Sequence, residues 1–236
     1  MKNSNTLQET QPSAWDLHLK AAAPQFACEE ILLGPWTSYS LMHDPRHMAF
    51  VLARYKFCAK MLEGKDYVVE IGCGDGFGIP LIAQAVKRLH CIDWDPRSLE
   101  GCARRLKHLK NVTYQHIDLN KHTLPTRADA IYTIDVVEHL EPSKEDQFFR
   151  NICKSLKPEG VLITGTPNIS ANAYASEQSR VQHINLKSLQ DLKQLTQKYF
   201  VHAFPFGMND EVLHTGYGPM AHYIWTIGAQ VRSQYQ

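Results

Sequence analysis

The sequence carries almost no net charge: 25 Lys and Arg stand against 24 Asp and Glu in 236 residues, a balance of +1. Such a chain has no field to gather polyanions, so neither nucleic acid nor an anionic membrane is expected as its partner. A small-molecule substrate is the simpler expectation. No apolar run approaches the roughly 18 to 20 residues that span a bilayer. The segment Met1 to Pro12 is polar and is read as frayed; it lacks the apolar centre of a secretion signal, so a soluble, cytoplasmic protein is expected. The cysteines (Cys28, Cys58, Cys73, Cys91, Cys102, Cys153) include no C-x-x-C pair, and the histidines include no H-E-x-x-H. Those missing spacings argue against a structural metal, and no metal is assigned. Reduced thiols are expected, because a disulfide at Cys73 would obstruct the loop in which it lies.

What is present is concentrated between Val68 and Gly78. An apolar run ends in Glu70, and glycines follow at every second position, Gly72, Gly74, Gly76 and Gly78. This is the pattern of a nucleoside-binding loop leaving a parallel strand. A dinucleotide loop reads G-x-G-x-x-G, with a third glycine opening a helix whose N-terminus holds pyrophosphate. Here that third position is Phe77, and Glu70 would repel a pyrophosphate. The loop suits a ligand with a cationic end.

Around this loop strand and helix alternate, the pattern of a doubly wound α/β sheet. Strands are predicted at Tyr67–Ile71, Leu89–Asp93, Val112–Ile117, Ala130–Ile134 and Val161–Thr166. Helices are predicted from Pro45 to Gly64 behind the N-cap Asp44, with an apolar stripe of Met48, Val51, Leu52, Tyr55, Ala59 and Leu62, and then at Gly78–Lys87, Pro96–Leu109 and Ser143–Leu156, the last capped by Ser143. A further helix, Leu186–Lys198, leads into two strands, Phe200–Phe206 and Ala221–Val231, joined by a loop. That connection implies an antiparallel pair closing one edge. The expected architecture is one domain over 44–236, a mostly parallel seven-stranded sheet, preceded by a helical N-terminal extension, 1–43, in which Gly34–Ser40 is a candidate lid.

In such sheets ligands lie beyond the carboxyl ends of the strands. Acidic residues recur there: Glu70, Asp93 before Trp94, Asp118 before Leu119, and Asp135 in Asp135-Val136-Val137-Glu138-His139-Leu140. These four segments, in this order over residues 66 to 166, resemble the class I S-adenosylmethionine-dependent methyltransferases, a Rossmann-like fold. The resemblance implies S-adenosyl-L-methionine as cofactor and S-adenosyl-L-homocysteine as product. It implies that Gly72, Cys73, Gly74 and Gly76 cradle the methionine part, that Asp93 takes the ribose hydroxyls, that Trp94 packs on adenine, and that Asp118 with Leu119 meets the adenine edge. Glu70 and Asp135 complete that set.

Methyl transfer to a hydroxyl requires alignment and a proton acceptor, a task suited to histidine. His139 lies in the segment that resembles small-molecule methyltransferases, including the ubiquinone-pathway O-methyltransferases. His183, in Val181-Gln182-His183-Ile184-Asn185, precedes the Leu186 helix, and His214 lies in the late loop Met208–Pro219. All three are candidate catalytic residues; Trp36, Tyr39, Asn209 and Tyr217 are candidate acceptor contacts. No Asn-Pro-Pro-Tyr or Asp-Pro-Pro-Tyr follows the fourth strand, which argues against the family's usual methylation of nucleobase or glutamine amino groups. O-methylation of a small polar acceptor such as a sugar or carbohydrate-linked intermediate is expected. N-methylation of a small amine, aminopropyl transfer and a noncatalytic binding protein remain as alternatives.

Overall fold

The structure, a computed structural model, describes residues 11–26 and 30–236; Cys28 and the first ten residues lie outside the described residues. The chain divides into two compact units, Met1–Leu32 and Leu33–Gln236. In the smaller, helix α1 spans Ala14–Phe26. Trp15 stacks on His18 one turn later, with ring centroids 5.2 Å apart.

The larger unit opens with α2 (Pro35–His43) and α3 (Pro45–Leu62), each with proline in its first turn, where the missing N–H breaks no helical hydrogen bond. Eight strands then form one sheet: β1 (Tyr67–Ile71), β2 (Arg88–Asp93), β3 (Val112–His116), β4 (Ala128–Ile134), β5 (Leu156–Pro167), β6 (Phe200–Asn209), β7 (Val212–His214) and β8 (Tyr223–Val231). Their spatial order is β3-β2-β1-β4-β5-β8-β6-β7. β1 to β5 run parallel, while β8 inserts antiparallel between β5 and β6. The expected doubly wound sheet with antiparallel C-terminal strands is therefore observed, with eight strands rather than seven. The added strand is β7, which pairs with the end of β6 through Asn209 and Val212. Polar, glycine-bearing sequence had concealed this hairpin, and its turn is made by Asp210 at φ 51°.

Helices α4 (Ile79–Ala85), α5 (Pro96–Arg105), α6 (Glu145–Ser155), α7 (Glu177–Gln182) and α8 (Leu189–Tyr199) complete the fold. Alternation along the strands sends successive side chains to opposite faces. Val68, Leu89, Cys91 and Tyr132 join a core with residues of α3 and α4 on one face, and Val69, Ile92, Ile131 and Leu162 join a second core with residues of α6 on the other. Glu70 lies in register with Val68, so its carboxyl points into the first core. Both faces are covered, and this is why the central strands read as unbroken apolar runs.

Several predicted boundaries shift. Ser143 lies in a 3-10 turn, Pro142–Lys144, and does not cap α6, which starts at Glu145 beside its own acidic first turn. Asp44 makes no side-chain cap at α3. Leu52 is exposed, because the buried face of α3 runs through Tyr55, Cys58 and Leu62 and is widened by Phe57, whose ring lies 4.8 Å from that of Trp225. The last helix begins at Leu189, where Ser188 and Asp191 form a reciprocal capping box. The five cysteines among the described residues are free and buried. No described helix is long and apolar enough to cross a membrane.

Candidate active site

The winding reverses between β1 and β4, which are neighbours in space but separated in sequence by β2 and β3. A crevice must open beyond their carboxyl ends, since the connections leave in opposite directions there. A cleft of about 1290 Å³ occupies this position.

The glycine loop leaving β1 forms one wall. Gly72 and Gly74 have φ +74° and +52°, in the left-handed region that favours glycine. A Cβ at Gly72 would stand 2.4 Å from Val136, whereas one at Gly74 would meet nothing within 4 Å. Gly72 is thus required by packing against the turn after β4, while Gly74 leaves its backbone bare toward the cleft. Gly76 serves the back of the loop, its missing Cβ accommodating Cys102 at 2.7 Å. Gly72, Cys73 and Gly74 line the cleft; Gly76 does not.

Asp93 ends β2 and is buried at the cleft wall. One carboxylate oxygen accepts the Gly74 N–H at 3.0 Å and the other accepts the Asp95 N–H at 2.9 Å. Each oxygen retains a lone pair, so the group is oriented and can accept two hydroxyls. Trp94 follows with 72% of its surface exposed, an indole on the cleft rim rather than in the core. Asp118 also lines the cleft. One of its oxygens accepts the Asn120 backbone and side-chain donors at 2.9 Å each, and the other lies 3.0 Å from Lys121. Burial works against its charge, yet these donors hold its carboxyl below the usual range. Leu119 instead packs in the core beneath and does not reach the cleft.

Glu70 lies below the loop. It accepts the Tyr55 hydroxyl at 2.9 Å and faces the Cys91 thiol at 3.6 Å. Burial pushes its carboxyl up to about 7, opposed by the Tyr55 hydrogen bond. It braces α3 against the sheet and is not part of the cleft lining.

The turn after β4 forms the opposite wall. Asp135 has φ 56° and pairs with Arg54 of α3 at 2.8 Å. The Arg54 guanidinium sits 4.0 Å from the centroid of the Tyr223 ring. His139, in the 3-10 turn Val137–His139, places Nδ1 3.1 Å from the Gln182 carbonyl, and its ring meets that of His183 edge to face at 5.1 Å. His183 stands at the C-terminal end of α7, a helix absent from the sequence reading, rather than at the start of α8. Its pKa is lowered by burial and by the neighbouring His139. Glu138 is fully buried between these elements and accepts the Thr166 hydroxyl at 2.9 Å; burial and the nearby Asp135 charge push its carboxyl up to about 8.

The remaining expected residues separate. Trp36 lines the cleft, but Tyr39, on the same helix, stacks on His43 with centroids 4.1 Å apart and lies outside it. His214, Asn209 and Tyr217 also stand away from the lining. His214 is bonded to Asn209 at 2.9 Å and accepts the Gly216 N–H at 3.1 Å, so its ring nitrogens hold the hairpin together. Residues outside the expected set also face the cleft, among them Thr37, His47, Arg54 and His222. Asp75, within the loop, accepts the Thr37 N–H at 2.8 Å and its hydroxyl at 2.9 Å, fixing α2 over the glycines. The Gly34–Ser40 segment is therefore the pinned N-terminus of α2. Burial and the Arg54 charge lower the His47 pKa.

The bare Gly74 backbone, the oriented Asp93 carboxylate and the rim indole of Trp94 fit S-adenosylmethionine, whose ribose and adenine would lie against Asp93 and Trp94. Residues 68–160 match a family described as a methyltransferase domain. The matched segment holds the glycine loop, Asp93 and the turn after β4, so over these residues the chain is similar to methyltransferase domains. It is similar to a probable S-adenosylmethionine-dependent methyltransferase of Mycolicibacterium smegmatis, 32% identical over 48% of this chain and 42% of that protein. A ubiquinone biosynthesis O-methyltransferase of Rickettsia akari is 26% identical over 58% of this chain and 55% of its own length. The chain spans about half or less of the length of these relatives. Among solved structures, the N-methyltransferase NodS from Bradyrhizobium japonicum, in complex with S-adenosyl-L-homocysteine, shares the fold at a TM-score of 0.58 and 19% identity, covering 89% of this chain and 97% of that one.

Proposed function

We propose that the protein transfers a methyl group from S-adenosylmethionine to a hydroxyl of a small polar acceptor, a sugar or carbohydrate-linked intermediate being the preferred class. The sulfonium methyl and its leaving group come from the cofactor. The chain contributes position and proton handling. Asp93, held by two backbone N–H groups, would take the ribose hydroxyls; Gly72 to Gly74 would admit the methionine part, and Trp94 would cover the adenine. The observation that carries the acceptor reading is the convergence of four imidazoles, His47, His139, His183 and His222, on the cleft. An imidazole that is neutral near pH 7 can accept the hydroxyl proton as the C–O bond forms. Arg54 pairs with the carboxylate of Asp135 at 2.8 Å, so this part of the cleft wall presents a neutralised ion pair to the acceptor.

The test uses the full chain with methyl-labelled S-adenosylmethionine and parallel sets of glycosides, sugar nucleotides, phenols and small amines. Label in a product stable to mild base and not extracted as an amine supports an O-methyl ether. Transfer confined to the amines would overturn the hydroxyl reading, and failure to bind either S-adenosylmethionine or S-adenosylhomocysteine would end the methyltransferase reading itself.

A further inference from the structure

Three side chains remain whose arrangement methyl transfer alone does not require. Glu138 and His139 lie in the turn after β4, and His183 ends α7. One donor atom from each lies within 4.8 Å of the other two. Glu138 is fully buried, and its Oε2 accepts the Thr166 hydroxyl. Its Oε1 is also buried and has no hydrogen-bond partner among the described residues. Leaving a buried carboxyl oxygen without a partner costs on the order of 1 to 3 kcal/mol, a cost that a ligand at that oxygen would offset.

The surroundings orient the trio. The backbone N–H of Asn185 donates to the Glu138 carbonyl at 2.9 Å, which ties the segment bearing His183 to the turn bearing Glu138 and His139. His139 Nδ1 faces the Gln182 carbonyl at 3.1 Å. A carbonyl can only accept, so Nδ1 carries the proton and the Nε2 lone pair is left free in the neutral ring. A ring fixed through one nitrogen with the other available is the usual condition of a metal-bound imidazole. Two imidazoles and one carboxylate form a mixed nitrogen and oxygen set that suits divalent first-row ions better than magnesium or calcium. Three protein ligands also leave coordination positions open, as in catalytic rather than structural sites.

We propose that Glu138, His139 and His183 form a binding site for a divalent first-row transition cation, with its open positions facing the cleft. Donors around such an ion sit about 2.0 to 2.2 Å from it, so the trio must draw together slightly on binding. His139, whose side chain is exposed, has room to turn. The role of the ion, holding an acceptor oxygen beside the methyl donor, rests on the methyltransferase reading; binding itself does not. With His139 and His183 engaged, His47 and His222 are the cleft imidazoles left to accept a proton.

The experiment is titration of the chelator-treated full chain with Mn²⁺, followed by the loss of the free-ion electron paramagnetic resonance signal. One ion per chain is expected, with affinity about tenfold or more weaker in Glu138→Gln, His139→Ala and His183→Ala. The two histidine variants, being partly exposed, keep the test valid should Glu138→Gln fail to fold. S-adenosylhomocysteine affinity, measured on the same samples, is expected to stay within twofold in His183→Ala. No saturable Mn²⁺ binding at millimolar ion, or equal affinity in the wild type and both histidine variants, overturns the site. Loss of S-adenosylhomocysteine binding with Mn²⁺ binding intact would instead strike the methyltransferase reading and leave the cation site standing.

Discussion

Asp75 accepts both the backbone N–H and the hydroxyl of Thr37, at 2.8 and 2.9 Å, so one carboxylate couples the first turn of α2 to the glycine loop. A Cβ at Gly34 would lie 2.3 Å from that of Asp75, which shows how close the two segments run. Through this contact the cleft acquires a wall from a region far from the loop in sequence.

Replacing Asp75 with alanine should therefore loosen α2 while leaving the sheet folded. Hydrogen bonds to a charged group contribute about 1.5 to 3 kcal/mol. We expect S-adenosylhomocysteine affinity to fall roughly tenfold by calorimetry, with faster proteolytic cleavage within Gly34–Ser40. Unchanged cleavage and affinity would show that the contact does not order the wall.

Gly74→Ala and Gly72→Ala should fail in different ways. At Gly74 the new methyl meets no neighbour, so the folding cost is the left-handed conformation alone, about 1 to 2 kcal/mol. The methyl occupies cofactor space, and binding should drop more than tenfold in a protein that still melts cooperatively. At Gly72 the same strain is joined by a 2.4 Å clash with Val136, so the thermal midpoint should fall further. Equal melting of the two variants would contradict this division of roles.

Glu70 should make stability depend on pH. Its folded pKa of about 7 lies above its ordinary 4.5, so the folded state holds a proton that the unfolded chain releases. Stability contributed by the neutral carboxyl is full below pH 4.5 and declines as pH rises to about 7, a loss on the order of 3 kcal/mol. In Glu70→Gln, denaturant unfolding between pH 5 and 8 should show a flatter profile and greater stability at pH 8. A profile as steep as the wild type's would place the titration elsewhere.

His214→Ala should spare methyl transfer. Its ring is engaged with Asn209 and Gly216 and does not line the cleft, so turnover is expected within about twofold of wild type, with a stability loss of about 1 kcal/mol. His183→Ala, on the cleft, should lower turnover at least tenfold with S-adenosylhomocysteine affinity retained. The reverse order would return the reaction to the hairpin.

The loop and the strand ends were legible because their determinants are local. β1 has the predicted bounds, Tyr67–Ile71, since an apolar run between Gly64 and Gly72 leaves no other choice. Asp93, Trp94 and Asp118 reach the cleft because strand ends in a parallel sheet share one rim. Leu119, next to Asp118, packs into the second core from the turn after β3, where strand alternation no longer sets the direction of a side chain. Tyr39 failed for a similar reason: its ring packs on His43 one turn along the same helix.

The alternating elements and the spaced glycines were enough to define the α/β winding and a nucleoside-type loop, because backbone conformation at glycine and strand-end geometry depend on neighbours in the chain; the methyl donor followed from the resemblance of four strand-end segments to a known family. The opposite wall depended on packing. Arg54 meets Asp135 because α3 crosses the first core, and Glu138, His139 and His183 meet because the segment after α7 is bonded to the turn after β4. Contacts between segments so far apart in sequence carry no periodicity or spacing along the chain. Only the folded sheet brings them to one side of the cleft.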